Sequence, residues 1–219
     1  MHKPIKIKPI PINEKKEKKG ILPQPLRCLI VGNSGCGKTT LLYNLMYEKW
    51  GVHYDNLLVF SKTLEQMFYK ELQKGYEKVG GEIASFYDDM NEMITVDECK
   101  SNTFVVFDDC VNTKNQNVIK DYFSRGRHKN ISVAYLTQSF TKIDCQLIRN
   151  NINCLFVFKQ RTYYTKLIYE EYVGSDFTLK EFIQNCEKCW NEKYGFLTIF
   201  TMKNKCDGKY MRNLEMMLT

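Results

Sequence analysis

The segment GNSGCGKT at residues 32–39 constrains the fold of this chain more than any other feature. It fits the pattern G-x-x-x-x-G-K-[ST] at every fixed position, and it follows a short apolar run and precedes an amphipathic one. Glycines let consecutive backbone N–H groups point inward around an anion, and the positive end of a helix dipole adds to that attraction. We therefore predict a buried strand, a phosphate-binding loop and a helix in direct succession.

This loop supplies the predicted nucleotide contacts. Lys38 brings a mobile positive charge to the β and γ phosphates, and the Thr39 hydroxyl is a ligand for Mg²⁺. We therefore predict that ATP and Mg²⁺ are the cofactors. The other residues predicted to wrap the phosphates are Gly32, Asn33, Ser34, Gly35, Cys36, Gly37 and Thr40.

Two carboxylates follow a second apolar run, in the sequence FVVFDD at residues 104–109. Ligands of open α/β sheets bind at the carboxyl ends of the strands, which is where this pair is expected. Asp108 is predicted to hold Mg²⁺ through water, and Asp109 to act as the base that polarises the attacking water. Taken alone, an Asp-Asp pair after a strand is also common turn chemistry.

Gln138 ends the next predicted strand, within YLTQS. An amide at that place can sense the γ phosphate and orient water without adding charge. Thr137 and Ser139 are ordinary strand-end polar residues that compete for the same role.

A basic loop, FSRGRHKN, precedes the strand that ends at Gln138. We expect Arg125 and Arg127 near the carboxyl edge of the sheet, where they fit a phosphate-stabilising arginine donated to a neighbouring subunit, or a nucleic-acid contact. A solvated basic loop is the third interpretation. Arg161, after the fifth strand, is a weaker candidate for the same arginine.

The length of 219 residues and the 43% hydrophobic composition predict one domain, residues 23–219, after a basic arm of residues 1–22. Residues 3–19 carry seven lysines against two glutamates, with prolines between them, so the arm is expected to be flexible. It is either a solvated tail or an arm that contacts nucleic-acid phosphates. The formal net charge of +7 likewise suits an anionic partner.

Nine cysteines are scattered through apparent core strands and the phosphate loop, which predicts reduced thiols. Cys186 and Cys189 have CxxC spacing, but no second pair follows, so buried helix cysteines are favoured over a zinc site. No run approaches the roughly 20 apolar residues of a membrane span, and the first residues lack a signal peptide. We expect a soluble, intracellular protein that is neither secreted nor bound to a membrane.

Strand-like and helix-like segments alternate along the chain. Further strands are predicted at 56–60, 103–109, 131–138, 153–159 and 194–200, and helices at 39–49, 64–74, 118–123, 163–173 and 178–190. A short strand at 83–87 and one helical turn at 88–93 are weaker expectations. Such alternation predicts an α/β fold with a mainly parallel central sheet flanked by helices.

The segments IVGNSGCGKTTLL, FVVFDD and FSRGRHKNISVAYLTQSF together closely resemble the FtsK-HerA superfamily. Within it they resemble the poxvirus-type genome-packaging ATPases of large DNA viruses, virophages and polinton-like elements, over roughly residues 26–160. The resemblance implies a RecA-like P-loop NTPase domain of the additional-strand type and a ring of five or six identical subunits. It also implies ATP-driven translocation of double-stranded DNA into a preformed capsid, with capsid proteins as partners and the host cytoplasm, viral factory or virion as the location.

The same resemblance implies the roles already named for Lys38, Thr39, Asp108, Asp109 and Gln138, and makes Arg125 or Arg127 the arginine that acts on a neighbour. Many members have Asp-Glu where this chain has Asp-Asp, so the shorter Asp109 needs its water about one methylene closer. The chain also lacks the large extra domains of bacterial translocases, which favours a minimal viral motor.

Two other function classes use a similar loop. A nucleoside or nucleotide kinase also needs Gly-Lys-Thr, but it requires an arginine-rich lid and an acceptor site. A nucleotide-binding signalling or assembly switch would not need the carboxylate of Asp109. Stimulation of hydrolysis by DNA would separate a motor from both.

Overall fold

The computed structural model describes residues 20–112 and 116–216. Most of the predicted basic arm, residues 1–19, lies outside the described residues. Within the described part, residues 23–216 contribute to one continuous sheet and the helices on its two faces.

Nine strands of the described chain form the sheet, in the order β3-β2-β4-β5-β1-β6-β7-β8-β9. The first six in this order are parallel, and β7, β8 and β9 continue the sheet as antiparallel strands. Their bounds are β1 Arg27–Val31, β2 Asn56–Ser61, β3 Ala84–Tyr87, β4 Thr103–Asp108, β5 Ser132–Thr137, β6 Cys154–Phe158, β7 Phe196–Phe200, β8 Tyr210–Arg212 and β9 Glu215–Met216.

Helices cover both faces of the sheet. Buried side chains of α1 and α2 pack on one face, and those of α3, α4 and α5 pack on the other. Central strands such as β4 are therefore apolar on both sides, which explains their continuous hydrophobic runs. The helix bounds are α1 Lys38–Tyr47, α2 Met67–Val79, α3 Gln116–Arg125, α4 Thr162–Ile168 and α5 Leu179–Trp190.

The position of β5 decides how the site is built, because β5 lies between β1 and β4. In the parallel register Val31 pairs with Thr137, and Asp108 pairs with Leu136. The carboxyl ends of the three strands therefore meet at one edge of the sheet, which is called here the carboxyl edge.

The predicted strands and helices are confirmed, with shifted bounds. Helix α2 begins three residues later than predicted and continues through Gly75 to Val79. The single helix predicted at 163–173 ends as α-helix at Ile168 and continues as a π-helical turn, Tyr169–Val173. The short strands β8 and β9 were not predicted.

Two further features concern the cysteines and the lengths of the helices. All nine cysteines are free, and Cys186 and Cys189 are buried in α5. Among the described residues, no helix is both long enough and apolar enough to cross a membrane.

Candidate active site

The loop between β1 and α1 has the geometry that its glycines predict. Gly35 and Gly37 have φ angles of 72° and 109°, in the left-handed region that side chains rarely adopt. A Cβ at Gly32 would lie 2.4 Å from the Cys36 sulfur and 2.7 Å from the Cβ of Phe158. Close packing thus excludes a side chain at Gly32, and backbone conformation disfavours one at Gly35 and Gly37.

Lys38 folds back over this loop. Its Nζ donates hydrogen bonds to the backbone oxygens of Gly32, at 2.7 Å, and of Asn33, at 2.9 Å. The ammonium group therefore lies inside the curve of the loop, next to the backbone that would wrap a phosphate chain. Thr39 and Thr40 follow in the first turn of α1, and both are half-buried.

Asp108, the last residue of β4, is held by a tyrosine from α2. The hydroxyl of Tyr69 donates a hydrogen bond of 2.6 Å to Oδ2 of Asp108, and Tyr69 is completely buried. Burial raises the pKa of Asp108, while the bond from Tyr69 and the positive charge of Lys38 oppose that rise. The carboxylate and the loop lysine are therefore close enough to interact.

Asp109 leaves the strand in an uncommon conformation. Its φ is 54°, its side chain is exposed, and its backbone N–H donates to the oxygen of Leu136 at 3.2 Å. Asp tolerates the left-handed region better than most residues, and such conformations often occur at functional sites. The turn directs Asp109 away from the sheet core, so the two adjacent carboxylates have different surroundings.

Gln138 lies next to the phosphate loop. The N–H of Gly32 donates to the oxygen of Thr137 at 3.1 Å, which joins the end of β5 to the beginning of the loop. Gln138 comes directly after this joint and is exposed. The carboxyl edge thus brings together the predicted phosphate, metal, base and sensor residues: Lys38, Thr39, Asp108, Asp109 and Gln138.

The predicted place of Arg125 and Arg127 was wrong, because both lie at the opposite, amino edge of the sheet. The short helix Gly126–Lys129 precedes β5, and the oxygen of Lys129 accepts from the N–H of Asn102, just before β4. In a parallel sheet, residues before a strand lie at the opposite edge from residues that follow it.

Arg127 and Arg125 have different surroundings. Arg125 forms an ion pair of 2.6 Å with Asp97 and a longer one with Asp121. Arg127 is exposed, and its guanidinium has no ion pair or hydrogen bond within the described chain. It lies close enough to Arg27, at the start of β1, to add to the effect of burial in lowering the pKa of that residue.

Two neighbouring cations have other positions. Lys129 donates to three backbone oxygens at residues 96–99, so it anchors that segment. Arg161 precedes α4 directly and is exposed at the carboxyl edge, on the same side as the phosphate loop. Arg161 and Arg127 therefore lie at opposite edges of the sheet.

The residues at the carboxyl edge fit Mg²⁺. Thr39 and Asp108 offer hard oxygen donors, and Mg²⁺ in nucleotide sites takes few ligands from the protein because phosphates and water supply the others. Among the described residues, no group of three or more His, Cys, Asp or Glu side chains could hold a metal by itself. The donor set therefore suits a metal that arrives with a phosphate chain.

Three aromatic residues of the site were not predicted from the sequence. Tyr69 holds Asp108, Phe158 packs against Gly32, and Tyr194 lies against Gly37. Tyr69 looks like an ordinary apolar-face residue of an amphipathic helix, and the contacts of all three join distant parts of the chain. No local sequence signal would have found them.

A family model described as "Poxvirus A32 protein" matches residues 13–162. Residues 13–162 include the phosphate loop, both aspartates, the basic loop and Gln138. No curated protein sequence matches the chain.

Several solved structures share the fold. The genome packaging NTPase B204 from Sulfolobus turreted icosahedral virus 2, in complex with sulfate, has a TM-score of 0.61 and 14% identity, covering 83% of this chain and 94% of B204. Its complex with ATP-gammaS has a TM-score of 0.56 and 14% identity, covering 82% and 94%. The pCW3 conjugation coupling protein TcpA with ATPgS has a TM-score of 0.51 and 10% identity, covering 82% of this chain and 58% of TcpA. The predicted RecA-like P-loop NTPase fold is confirmed.

Proposed function

The chain belongs to the poxvirus A32 protein family, the poxvirus-type group that its motifs resemble, and we propose that it is an ATP-hydrolysing motor that moves double-stranded DNA into a viral capsid. The observation that carries this proposal is the meeting of Lys38, Asp108, Asp109 and Gln138 at one sheet edge, beside the phosphate loop. A binding module would need the loop alone. The exposed carboxylate and amide beside it are the groups that hydrolysis adds.

Each residue of the edge has a distinct part in the proposed reaction. The loop N–H groups and Lys38 bind the phosphates, and Asp109 accepts the proton of the attacking water while Gln138 orients that water. Thr39 and Asp108 would hold Mg²⁺, which supplies charge neutralisation on the phosphates when it is bound. Tyr69 keeps the Asp108 carboxylate in one orientation.

The arginine is proposed to come from a neighbouring subunit. Arg127 lies at the amino edge and has no partner within the described chain, so it suits a role at another copy's phosphate loop better than Arg125, which is paired with Asp97. This arrangement requires a ring in which the amino edge of one subunit faces the carboxyl edge of the next. A ring of five or six subunits around double-stranded DNA follows from the family resemblance.

The similarity in fold to B204, a genome packaging NTPase, supports this proposal. We propose that residues 23–219 form one domain and that residues 1–22 form a basic arm that contacts DNA phosphates. The proposed place of action is the host cytoplasm or viral factory, with capsid proteins as partners.

The test is phosphate release from ATP by the purified protein, with and without long double-stranded DNA, at low and moderate salt. We expect DNA to stimulate ATP hydrolysis. This stimulation should weaken as salt rises, because contacts with the DNA phosphates release counterions. Lys38→Ala is the control, since it should lose activity that belongs to this site. Hydrolysis that is unchanged by DNA, in a preparation shown to form rings, would contradict the motor. Conversion of ATP to ADP that leaves the phosphate on a small acceptor, with no free phosphate released, would indicate a kinase.

A further inference from the structure

Tyr194 lies in a turn that forces it into an unusual backbone conformation. The turn connects α5 to β7, and the N–H of Gly195 donates to the oxygen of Glu192 at 3.0 Å. A Cβ at Gly195 would lie 2.1 Å from the oxygen of Cys189, so the chain must pass close to the end of α5. Tyr194 has a φ of 67°, which is uncommon for an aromatic residue. The surrounding structure therefore fixes the backbone at Tyr194.

The ring of Tyr194 touches the phosphate loop. A Cβ placed on Gly37 would lie 3.1 Å from Cδ1 of Tyr194, so the ring and the backbone of Gly37 are in direct contact. Phe158 packs on the same glycine. Tyr194 nevertheless remains 43% exposed, whereas Phe158 is only 1% exposed. Packing of the core thus explains Phe158 but leaves much of the Tyr194 ring uncovered.

The accessible ring is already in contact with an exposed cation. The Nζ of Lys193 lies 5.0 Å from the centre of the Tyr194 ring, within the range of a cation–π contact. An exposed contact of this kind is weak, and a planar aromatic group that covers the same face buries more area.

We propose that Tyr194 is the platform on which the base of the bound nucleotide stacks. This inference rests on the proposed function, because it assumes that the loop binds a nucleoside triphosphate. Every base has a π-face, so stacking alone favours binding of a base without strong preference among bases.

The experiment separates the base from the phosphates. Isothermal titration calorimetry with Mg²⁺ compares ATP with inorganic tripolyphosphate, which has the phosphate chain but no base. The variants are Tyr194→Asn, which removes the ring with a residue that tolerates a positive φ, and Tyr194→Phe, which keeps the ring. Tyr47→Ala, on the last turn of α1, is the control for loss of an exposed aromatic side chain.

We expect Tyr194→Asn to weaken ATP binding by about fivefold to 150-fold, the range found for loss of one base–aromatic stack, and to leave the affinity for tripolyphosphate within about twofold. Tyr194→Phe and Tyr47→Ala should bind ATP as the unchanged protein does. Equal weakening of both ligands by Tyr194→Asn would show that the ring only supports the loop, and unchanged ATP binding would place the base elsewhere; either result overturns the proposal. If the unchanged protein bound neither ligand, the nucleotide-binding function itself would be refuted.

Discussion

Removal of the Tyr69 hydroxyl should destabilise the protein by an amount that depends on the charge of Asp108. The bond is 2.6 Å long, its donor is completely buried, and Tyr69→Phe keeps the packing of the ring. A hydrogen bond to a charged group contributes about 1.5–3 kcal/mol. Since Asp108 is only partly buried, water can replace part of the bond, so a loss of about 1.5–2 kcal/mol is expected. For a chain of this size that corresponds to a melting temperature lower by roughly 3–8 °C.

The sign of the pH dependence follows from the same bond. Burial raises the pKa of Asp108 above its ordinary value, and the hydroxyl of Tyr69 opposes the rise because it stabilises the ionised form. Ionisation of Asp108 therefore costs folding stability as pH rises from the unfolded pKa through the folded one, and Tyr69→Phe increases that cost. The difference in unfolding free energy between the two proteins should be small at acidic pH, where Asp108 is protonated, and larger at neutral pH.

Urea unfolding between about pH 4 and pH 8 measures this difference. Tyr122→Phe is the matched control, because its hydroxyl is also on a buried tyrosine but donates to the uncharged backbone oxygen of Ile94, at 2.8 Å. Its cost, about 1 kcal/mol, should not change with pH. The reasoning is refuted if the cost of Tyr69→Phe is equally flat, or if it persists in full when Asp108→Asn is also present.

Three further predictions concern the loop, the base and the arginine. Gly32→Ala should lower ATP affinity by at least about tenfold in calorimetry, since the new Cβ would lie 2.4 Å from the Cys36 sulfur. Gly75→Ala is the control: its Cβ meets no atom within 4 Å, so urea unfolding should show α2 stabilised by about 0.5–1 kcal/mol. Asp109→Asn should keep ATP binding but reduce turnover at least about a hundredfold, which parallel titration and phosphate release would show, and normal hydrolysis would place the base elsewhere. Arg127→Ala should reduce ATP turnover far more than Arg125→Ala does. Mixing Arg127→Ala subunits with Asp109→Asn subunits should restore part of the turnover, and no recovery in any mixture would exclude action on a neighbouring subunit.

The parts of the site that could be predicted from the sequence are those that a contiguous motif encodes. Residues 32–39 contain both the glycines and the lysine of the loop, and the Asp pair follows its strand directly. The bond from Tyr69 to Asp108 joins residues 39 positions apart, and Tyr194 meets Gly37 across most of the chain. Such contacts depend on strand order and helix placement, which local patterns do not specify.

The short strands β8 and β9 were missed for a related reason. They have three and two residues, too few to show an alternating pattern, and they form because they pair with β7 and with each other at the edge of the sheet. The boundaries of α2 were displaced because Gly75 looks like a helix end but is tolerated within an exposed helix at modest cost.

The error in placing the basic loop has the largest consequence for function. Strand β1 has five residues, so the two edges of the sheet are separated by roughly 16 Å at about 3.3 Å per residue. Arg127 lies at the amino edge, beside Arg27 at the start of β1, while the phosphate loop follows the other end of β1. That separation exceeds the reach of one arginine side chain, so Arg127 cannot contact the phosphate loop of its own chain. If it is the stabilising arginine, each chain holds two halves of different active sites, and hydrolysis requires the contact between neighbours.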